Sequence, residues 1–213
     1  SLSAFENEGA RDFDIGAHAT IDDAAYDALT PFVWGKDRFF GDGQFFHADR
    51  RARFIATVPR APVHEPTIER PLRLNTGRLR DQWHSMTRTG LSPSLAGHRS
   101  EPLVEIHPLD AKAFDLRNGG YARVRSQHGS CIVKVMTTVS QQRGSIFVPI
   151  HWSDTNASSA RVGDLVSPHT DPYSGQPEAK ATPAAIEPIA FAYRGFALAR
   201  QPLSFPAGTW WVR

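Results

Sequence analysis

The stretch Asn75-Thr-Gly-Arg-Leu-Arg-Asp-Gln-Trp-His-Ser-Met-Thr-Arg-Thr-Gly90 contains glycines, hydroxyl groups and arginines where a protein core would have aliphatic side chains. We predict that residues 72–75 end a strand and that Thr76 and Gly77 turn the chain. Glycine lets the backbone approach ligand oxygens closely, and arginine donates paired hydrogen bonds to phosphate groups. The stretch therefore predicts a site for a polyanionic ligand, and a solvated loop of the same composition is the alternative.

Several side chains of this stretch suit such a ligand. Arg78 and Arg80 follow the predicted turn, and each can donate two parallel hydrogen bonds to phosphate oxygens. Trp83 can stack on a flat ring, and His84 can donate or accept a hydrogen bond according to its tautomer. Positive charge collects in the region, against Asp81 alone, from Arg70, Arg73, Arg78, Arg80, Arg88 and Arg99.

The composition is that of a globular chain with little net charge. Its 213 residues are 40% hydrophobic and 22% charged, which suffices for one core with an appended segment. The formal charge of +2 is too small for binding nucleic acid by bulk electrostatics, so we expect no nucleic-acid partner. Because no apolar run reaches membrane-spanning length and the N-terminus lacks a secretory pattern, we expect a cytoplasmic protein without membrane contact.

Cysteine and motif content exclude several chemistries. Cys131 is the only cysteine, so neither a disulfide framework nor a multi-cysteine metal site can form within the chain, and its alternating neighbours predict a buried thiol. The sequence has no His-Glu-x-x-His, Gly-x-Ser-x-Gly, Walker or Gly-x-Gly-x-x-Gly motif, which argues against zinc hydrolases, serine esterases and common nucleotide pockets. The scattered histidines are interpreted as surface or structurally bonded residues: His47, His64, His98 and His128.

The first part of the chain has few apolar anchors. Residues 22–29 are predicted to form a short helix, and residues 38–46 a hairpin that turns at Gly-Asp-Gly. Residues 53–58 are predicted to form a further strand. Residues 59–71 are Pro-rich and are predicted to cross to the main domain as a linker.

The main domain is predicted to be mainly β with a few short helices. Pro108 begins a helix that extends to residue 116, and Gly119 and Gly120 end it. Short strands at regular intervals predict a small barrel. The further strands are predicted at residues 103–106, 121–126, 131–139 and 145–152.

The Thr-Gly-Arg, Trp-His and Met-Thr-Arg elements of the opening stretch carry a family resemblance. In this order and spacing they resemble the C-terminal domain of molybdopterin-dinucleotide oxidoreductases, particularly assimilatory nitrate reductases and their periplasmic nitrate reductase and formate dehydrogenase relatives. The resemblance covers residues 70–190 and implies a double-psi β-barrel there, between a connecting segment at 1–69 and a C-terminal extension at 191–213. It continues in Glu105-Ile-His-Pro-Leu-Asp-Ala111, Val148-Pro-Ile-His-Trp152 and Asp171-Pro-Tyr-Ser-Gly-Gln-Pro-Glu-Ala-Lys180.

The resemblance also implies which residues touch the cofactor, molybdopterin guanine dinucleotide. It places His151 near the substrate funnel, with a structural histidine at the barrel rim as the alternative, while Asp110 is interpreted as a helix-start residue. No catalytic residue and no metal ligand are expected in this chain, and an iron–sulfur cluster is expected only in another part of the enzyme. The cofactor-binding residues implied are Thr76, Gly77, Arg78, Arg80, Trp83, His84, Ser85, Asn156 and Lys180.

The function implied by the resemblance is that of one part of a larger enzyme. We expect the chain to be the cofactor-binding piece of an enzyme that reduces nitrate to nitrite, with the rest of the catalytic chain and an electron donor as partners. The aromatic end at residues 208–213 suggests truncation, and the isolated chain is expected to be inactive. Two alternatives remain: a free-standing β-barrel interaction module without cofactor, and the same domain of a formate dehydrogenase-like enzyme.

Overall fold

The computed structural model of the protein describes residues 18–32, 40–56, 58–172 and 174–213. The chain forms two compact units, Ser1–Pro59 and Arg60–Arg213. Within the described ranges, no helix combines the length and the apolar character needed to cross a membrane.

The first unit contains the short helix α1 (Asp23–Asp27). Asp22 caps it, because its carboxylate accepts a hydrogen bond from the Ala25 N–H at 2.8 Å. The helix predicted at residues 22–29 is thus confirmed. The strand predicted at 53–58 is wrong for residues 53–56 and 58: Phe54 and Val58 are 102% and 82% exposed, so no apolar face packs against a neighbour.

The hairpin predicted at residues 38–46 is confirmed only as a turn. Gly43 donates its N–H to the Phe40 carbonyl at 3.0 Å and has a φ of 72°, as a tight turn requires. No strand follows, because the Phe45 N–H bonds to the Arg50 carbonyl at 2.9 Å and the chain enters a second turn. Residues 38 and 39, in the first arm of the predicted hairpin, lie outside the described residues.

The second unit begins with residues 60–71, which contain neither helix nor strand, and continues as a barrel with short helical segments between its strands. The predicted strands at 103–106, 121–126 and 131–139 are confirmed with small differences at their ends. In chain order the elements are β1 (Leu72–Gly77), a 3-10 turn (Thr89–Leu91), α2 (Pro93–Ala96), β2 (Leu103–Ile106), α3 (Pro108–Ala113), β3 (Tyr121–Arg125), β4 (Ser130–Thr137), β5 (Ser145–Pro149), a second 3-10 turn (Val162–Leu165) and β6 (Thr182–Ile189).

The six strands close into a barrel in the order β1-β5-β2-β4-β3-β6. β1 runs parallel to β5 and β2 runs parallel to β4, whereas the other neighbouring pairs are antiparallel. Closure leaves no unpaired strand edge. The predicted mainly β class and the double-psi β-barrel are therefore confirmed.

Alternating residues of the strands fill the barrel. In β4, for example, Cys131, Val133 and Val135 are at most 2% exposed, and the residues between them are more accessible. Burial raises the pKa of the Cys131 thiol to about 12, so this group stays a protonated core side chain. The predicted buried thiol is confirmed.

Strand β6 is missing from the sequence-based prediction, because it contains Pro183 and Pro188. Proline has no N–H and is normally kept out of central strands. Residues 182–184 of β6 pair with β1, and residues 185–189 pair with β3. Pro183 therefore has only β1 as a partner, and Pro188 has only β3. Each proline can therefore turn its nitrogen toward a side where no strand needs a donor.

Helix α3 ends earlier than the glycine pair predicted. Asp115 adopts a φ of 53°, and the next N–H, from Leu116, bonds back to the Ala111 carbonyl at 2.8 Å. This is a Schellman ending in which aspartate takes the left-handed position that glycine usually occupies. The helix therefore ends at Ala113, and Gly119 serves the turn before β3 instead.

Candidate cofactor-binding site

The predicted turn at Thr76 and Gly77 is wrong, because both residues are the last of β1. They pair with Val148 and Pro149 of the parallel strand β5. A Cβ atom added to Gly77 would lie 2.8 Å from Cε2 of Phe147. Glycine is thus required here by the packing of the aromatic ring, and the turn begins one residue later.

Replacing Gly77 with alanine is expected to lower the free energy of unfolding by about 1–3 kcal/mol, because the ring of Phe147 must shift to make room for the added Cβ atom. Urea unfolding followed by circular dichroism measures this. Gly195→Ala is the matched control, because nothing lies within 4 Å of a Cβ built there, and it should change the value by less than about 0.5 kcal/mol. Equal losses in the two variants would contradict the contact.

Lys180 and Thr76 meet at the end of β1, although they are far apart in the chain. The Thr76 hydroxyl donates to the Ala179 carbonyl at 2.9 Å. In return, the Lys180 ammonium donates to the Thr76 carbonyl. Lys180 is exposed, so the structure places a positive charge beside the last residues of the strand.

Residues 78–88, here called the arginine loop, follow β1. The guanidinium carbon of Arg78 lies 4.5 Å from the centroid of the Trp83 ring. The His84 ring contacts the Trp83 ring edge-on, with the two ring centroids 4.4 Å apart. Trp83 is 58% exposed. Among the described residues no carboxylate pairs with Arg78, so its charge is available to an outside anion.

Arg80 is engaged differently from Arg78. Its guanidinium donates to both carboxylate oxygens of Asp81, at 2.9 and 3.1 Å, and its Nη2 lies 2.8 Å from Nδ1 of His98. The hydrogen bond from Arg80 holds the pKa of the Asp81 carboxyl below its ordinary value, and His98 adds to the effect. The charge of Arg80 is therefore compensated within the protein.

His151 lies just after β5 and bonds to two backbone groups of the arginine loop. Its Nε2 accepts the Leu79 N–H at 2.7 Å, and its Nδ1 donates to the His84 carbonyl at 2.6 Å. The side chain is fully buried. Burial lowers the pKa of His151 below its ordinary value; the bond to His84 opposes this shift, and the charge of Arg78 reinforces it. Its placement near a substrate funnel stays a prediction.

The low pKa of His151 predicts that stability falls in acid. Below about pH 6.5 the unfolded side chain takes up a proton that the folded one resists, so unfolding becomes more favourable, by at most about 1.4 kcal/mol per pH unit. Urea unfolding at about pH 7.5 and about pH 5.5 measures the slope. The pH dependence of the free energy of unfolding should become smaller in His151→Gln. It should stay the same in His128→Gln, which changes an exposed histidine. An unchanged slope in His151→Gln would contradict the shift.

A small apolar cluster supports the arginine loop beneath His151. Trp152, Ala157 and Ala160 are buried, and Leu79 and Met86 of the loop pack against them. The sequence-based prediction does not include these two loop residues as anchors. A pattern of single apolar residues between polar ones was the available signal.

A set of hydrogen bonds between the loop and the residues that follow it was also absent from the prediction. The buried Gln82 accepts the Thr89 hydroxyl at 2.7 Å, and its amide donates to the Leu95 carbonyl at 3.2 Å. The same Thr89 oxygen accepts the Trp83 N–H at 3.1 Å. These bonds close the segment that displays Trp83, and no local pattern identifies them.

The remaining predicted site residues have different surroundings. Ser85 is exposed, between His84 and Met86, whose φ angles are 43° and 61°. Asn156 is half-buried, its side chain accepts the Ser153 N–H at 2.7 Å, and its carbonyl accepts the Arg213 N–H at 2.8 Å. The structure thus joins Thr76 to Lys180 and His84 to His151, whereas the hydrogen bonds of Asn156 go to Ser153 and Arg213.

The donors of this region fit an anionic ligand. The backbone N–H groups of Arg78, Arg80, His84 and Ser85 have no acceptor among the described residues, and the Arg78 guanidinium of the same loop pairs with no carboxylate there. Hydrogen-bond donors grouped with an uncompensated positive charge are what phosphate groups require. Throughout the part of the chain that the structure describes, no group of three His, Cys, Asp or Glu side chains that could hold a metal ion occurs.

Residues 72–183 match the profile of a family described as "Molydopterin dinucleotide binding domain". The chain belongs to this family. The matched residues run from the first residue of β1 to the start of β6 and contain the arginine loop, His151 and Lys180. The family resemblance of the opening stretch is thereby confirmed, whereas the contacts of individual side chains with the cofactor stay predictions.

The relatives of this molybdopterin dinucleotide-binding domain are much longer proteins. A nitrate reductase of Klebsiella oxytoca is 42% identical over 100% of this chain, which covers 25% of that protein. The assimilatory nitrate reductase catalytic subunit of Bacillus subtilis is 31% identical over 73% of this chain and 21% of its own length. The alpha subunit of F420-dependent formate dehydrogenase 1 of Methanococcus maripaludis is 33% identical over 57% of this chain, which covers 17% of that protein. The chain therefore spans about a quarter or less of these relatives.

Among solved structures, acetylene hydratase from Pelobacter acetylenicus has the same fold. The match has a TM-score of 0.51 at 21% sequence identity and covers 59% of this chain and 21% of that one. At this identity the likeness supports the barrel and carries nothing about the reaction.

Proposed function

We propose that the second unit holds the dinucleotide end of molybdopterin guanine dinucleotide in a larger enzyme that reduces nitrate to nitrite. The observation that carries the proposal is the 42% identity of the whole chain to a nitrate reductase of Klebsiella oxytoca. The loop that follows β1 supports it, because it contains both backbone donors without acceptors among the described residues and the uncompensated charge of Arg78. The 213-residue chain alone is expected to be inactive.

The residues present divide the work of binding. The backbone donors of the arginine loop and the guanidinium of Arg78 would bind phosphate oxygens, and the exposed ring of Trp83 offers a surface for a flat heterocycle. Lys180 adds positive charge and stabilises the end of β1 through the Thr76 carbonyl. The cofactor, when bound, supplies the molybdenum at which nitrate is reduced.

The remaining parts of this proposal concern the parent enzyme. Its other regions would complete the cofactor site, carry an iron–sulfur cluster and receive electrons from a donor protein. We propose that the enzyme serves nitrate assimilation, because the relative from Bacillus subtilis is named an assimilatory catalytic subunit, and that it works in the cytoplasm, as expected from the sequence.

An assay of the purified parent-length protein tests the proposal. It should contain molybdenum and a guanine-bearing pterin, and it should reduce nitrate with a reduced viologen dye as electron source. Absence of pterin from a folded parent-length protein would refute the proposal and favour a free-standing interaction module.

A formate dehydrogenase-like parent is the second candidate. It is favoured by the 33% identity to the alpha subunit of a formate dehydrogenase, although this covers only 57% of the chain. Formate oxidation without nitrate reduction in the same preparation would establish this candidate. Nitrate reduction without formate oxidation would exclude it.

A further inference from the structure

We propose that His151 is a positioning residue that sets the shape of the arginine loop, as a neutral imidazole with its proton fixed on Nδ1. Its two ring nitrogens bond to backbone groups near the start and near the middle of the loop, at Leu79 and His84. The consequence for cofactor retention rests on the proposed function, whereas the effect on the loop does not.

The partners of His151 leave a single tautomer. The Leu79 N–H can only donate, so Nε2 must carry a free lone pair. The His84 carbonyl can only accept, so Nδ1 must carry the proton. A second proton on Nε2 would remove the acceptor for Leu79 and bring two N–H groups against each other. The loop geometry therefore depends on a neutral ring.

The two bonds lie where the loop changes direction. His84 adopts a φ of 43°, which costs free energy for a residue with a Cβ, and His151 bonds to the carbonyl of that same residue. Leu79 directly follows Arg78, so the other bond fixes the point from which the guanidinium reaches Trp83. His151 thus acts on the side chains proposed to bind the cofactor without touching the ligand.

The surroundings favour the neutral state. Burial of the ring is the main cause that disfavours a further proton, and the charges of Arg78 and His84, which face the ring from the loop, act in the same direction, whereas the hydrogen bond to the His84 carbonyl opposes them. On its own segment the neighbour is the Trp152 ring, edge-on with centroids 6.3 Å apart. The competing explanation is that the packing of Leu79 and Met86 against Trp152 alone shapes the loop.

Two isosteric variants separate the two bonds in the 213-residue chain. Asparagine places its amide nitrogen near Nδ1 and can keep the bond to His84, whereas glutamine reaches the place of Nε2 and can keep the bond to Leu79. We expect amide hydrogen exchange at Leu79 to accelerate about tenfold in His151→Asn, as for one lost hydrogen bond, and to stay near the wild-type rate in His151→Gln. His128→Asn is the control, because that exposed histidine lies on another turn. Wild-type exchange at Leu79 in His151→Asn would overturn the proposal.

The wild-type chain provides a test that does not depend on the variants folding. Nitrogen NMR of the imidazole should show the Nδ1–H tautomer, and this signal should persist on acidification below about pH 6.5, the ordinary pKa of a histidine side chain. A Nε2–H tautomer, or loss of the Nδ1–H signal at about pH 6.5, would overturn the proposal.

Measurements on the parent-length enzyme distinguish this proposal from the proposed function. If the function is right, His151→Asn should also lose molybdenum and pterin, and His151→Gln should retain more of both. If the wild-type enzyme binds no pterin but the exchange and tautomer results are as expected, the positioning role stands and the proposed function fails. If pterin is bound and retained equally in wild type and His151→Asn, the role of His151 in cofactor retention is refuted.

Discussion

Replacing Arg78 with alanine in the parent-length enzyme is expected to weaken cofactor binding about 10- to 100-fold, the cost of one charge-assisted hydrogen-bond pair. The reason is that Arg78 reaches no carboxylate of the described residues and stacks on Trp83, so its charge is uncompensated in the loop that also carries backbone donors without acceptors. Molybdenum content by mass spectrometry and pterin fluorescence after oxidation, both per mole of purified protein, measure the loss.

Arg80→Ala is the matched control for this prediction. It removes the same side chain two positions away, but the guanidinium of Arg80 is already bound to Asp81 and His98. We expect a loss of less than about threefold, since a paired and exposed arginine offers an anion little additional charge. Equal loss in the two variants would show that the Asp81 pair opens on binding. No loss in Arg78→Ala would remove this arginine from the site.

The sequence revealed the composition of the site but not its shape. Arginines, glycine, tryptophan and histidine next to one another indicated an anion site, because the chemistry of those side chains is local. The different states of Arg78 and Arg80 depend on Asp81 and on His98, which approaches from farther along the chain. The bonds from His151 to the loop connect residues 72 and 67 positions apart, and no single-sequence pattern reports such contacts.

The fold was predictable where burial imposes an alternation. In β4, buried residues alternate with more accessible ones, and the amino-acid sequence of the strand indicates this alternation. Residues 53–58 show a similar local pattern, yet the described ones form no strand, since a strand also needs a partner. The prolines hid β6 because only the barrel's order of neighbours makes them tolerable.

Replacing Trp152 with alanine is expected to lower the free energy of unfolding by about 3–5 kcal/mol, the usual cost of removing a buried tryptophan. Trp152 is only 2% exposed and forms the centre of the small cluster on which Leu79 and Met86 rest. The cavity would therefore open directly beneath the arginine loop. Urea unfolding of the 213-residue chain followed by far-ultraviolet circular dichroism measures the loss, and hydrogen exchange should show faster opening of residues 78–88.

Trp83→Ala makes the same chemical change on the outside of the loop. Trp83 is 58% exposed, and its ring contacts the Arg78 guanidinium and the edge of His84, so its loss should cost only about 0.5–1 kcal/mol. The difference between the variants isolates the effect of burial, because both remove an indole that lies next to a histidine ring, Trp83 beside His84 and Trp152 beside His151. If Trp83→Ala were as destabilising as Trp152→Ala, the contacts of Trp83 with Arg78 and His84 would stabilise the loop, and the apolar cluster around Trp152 would not be its main support.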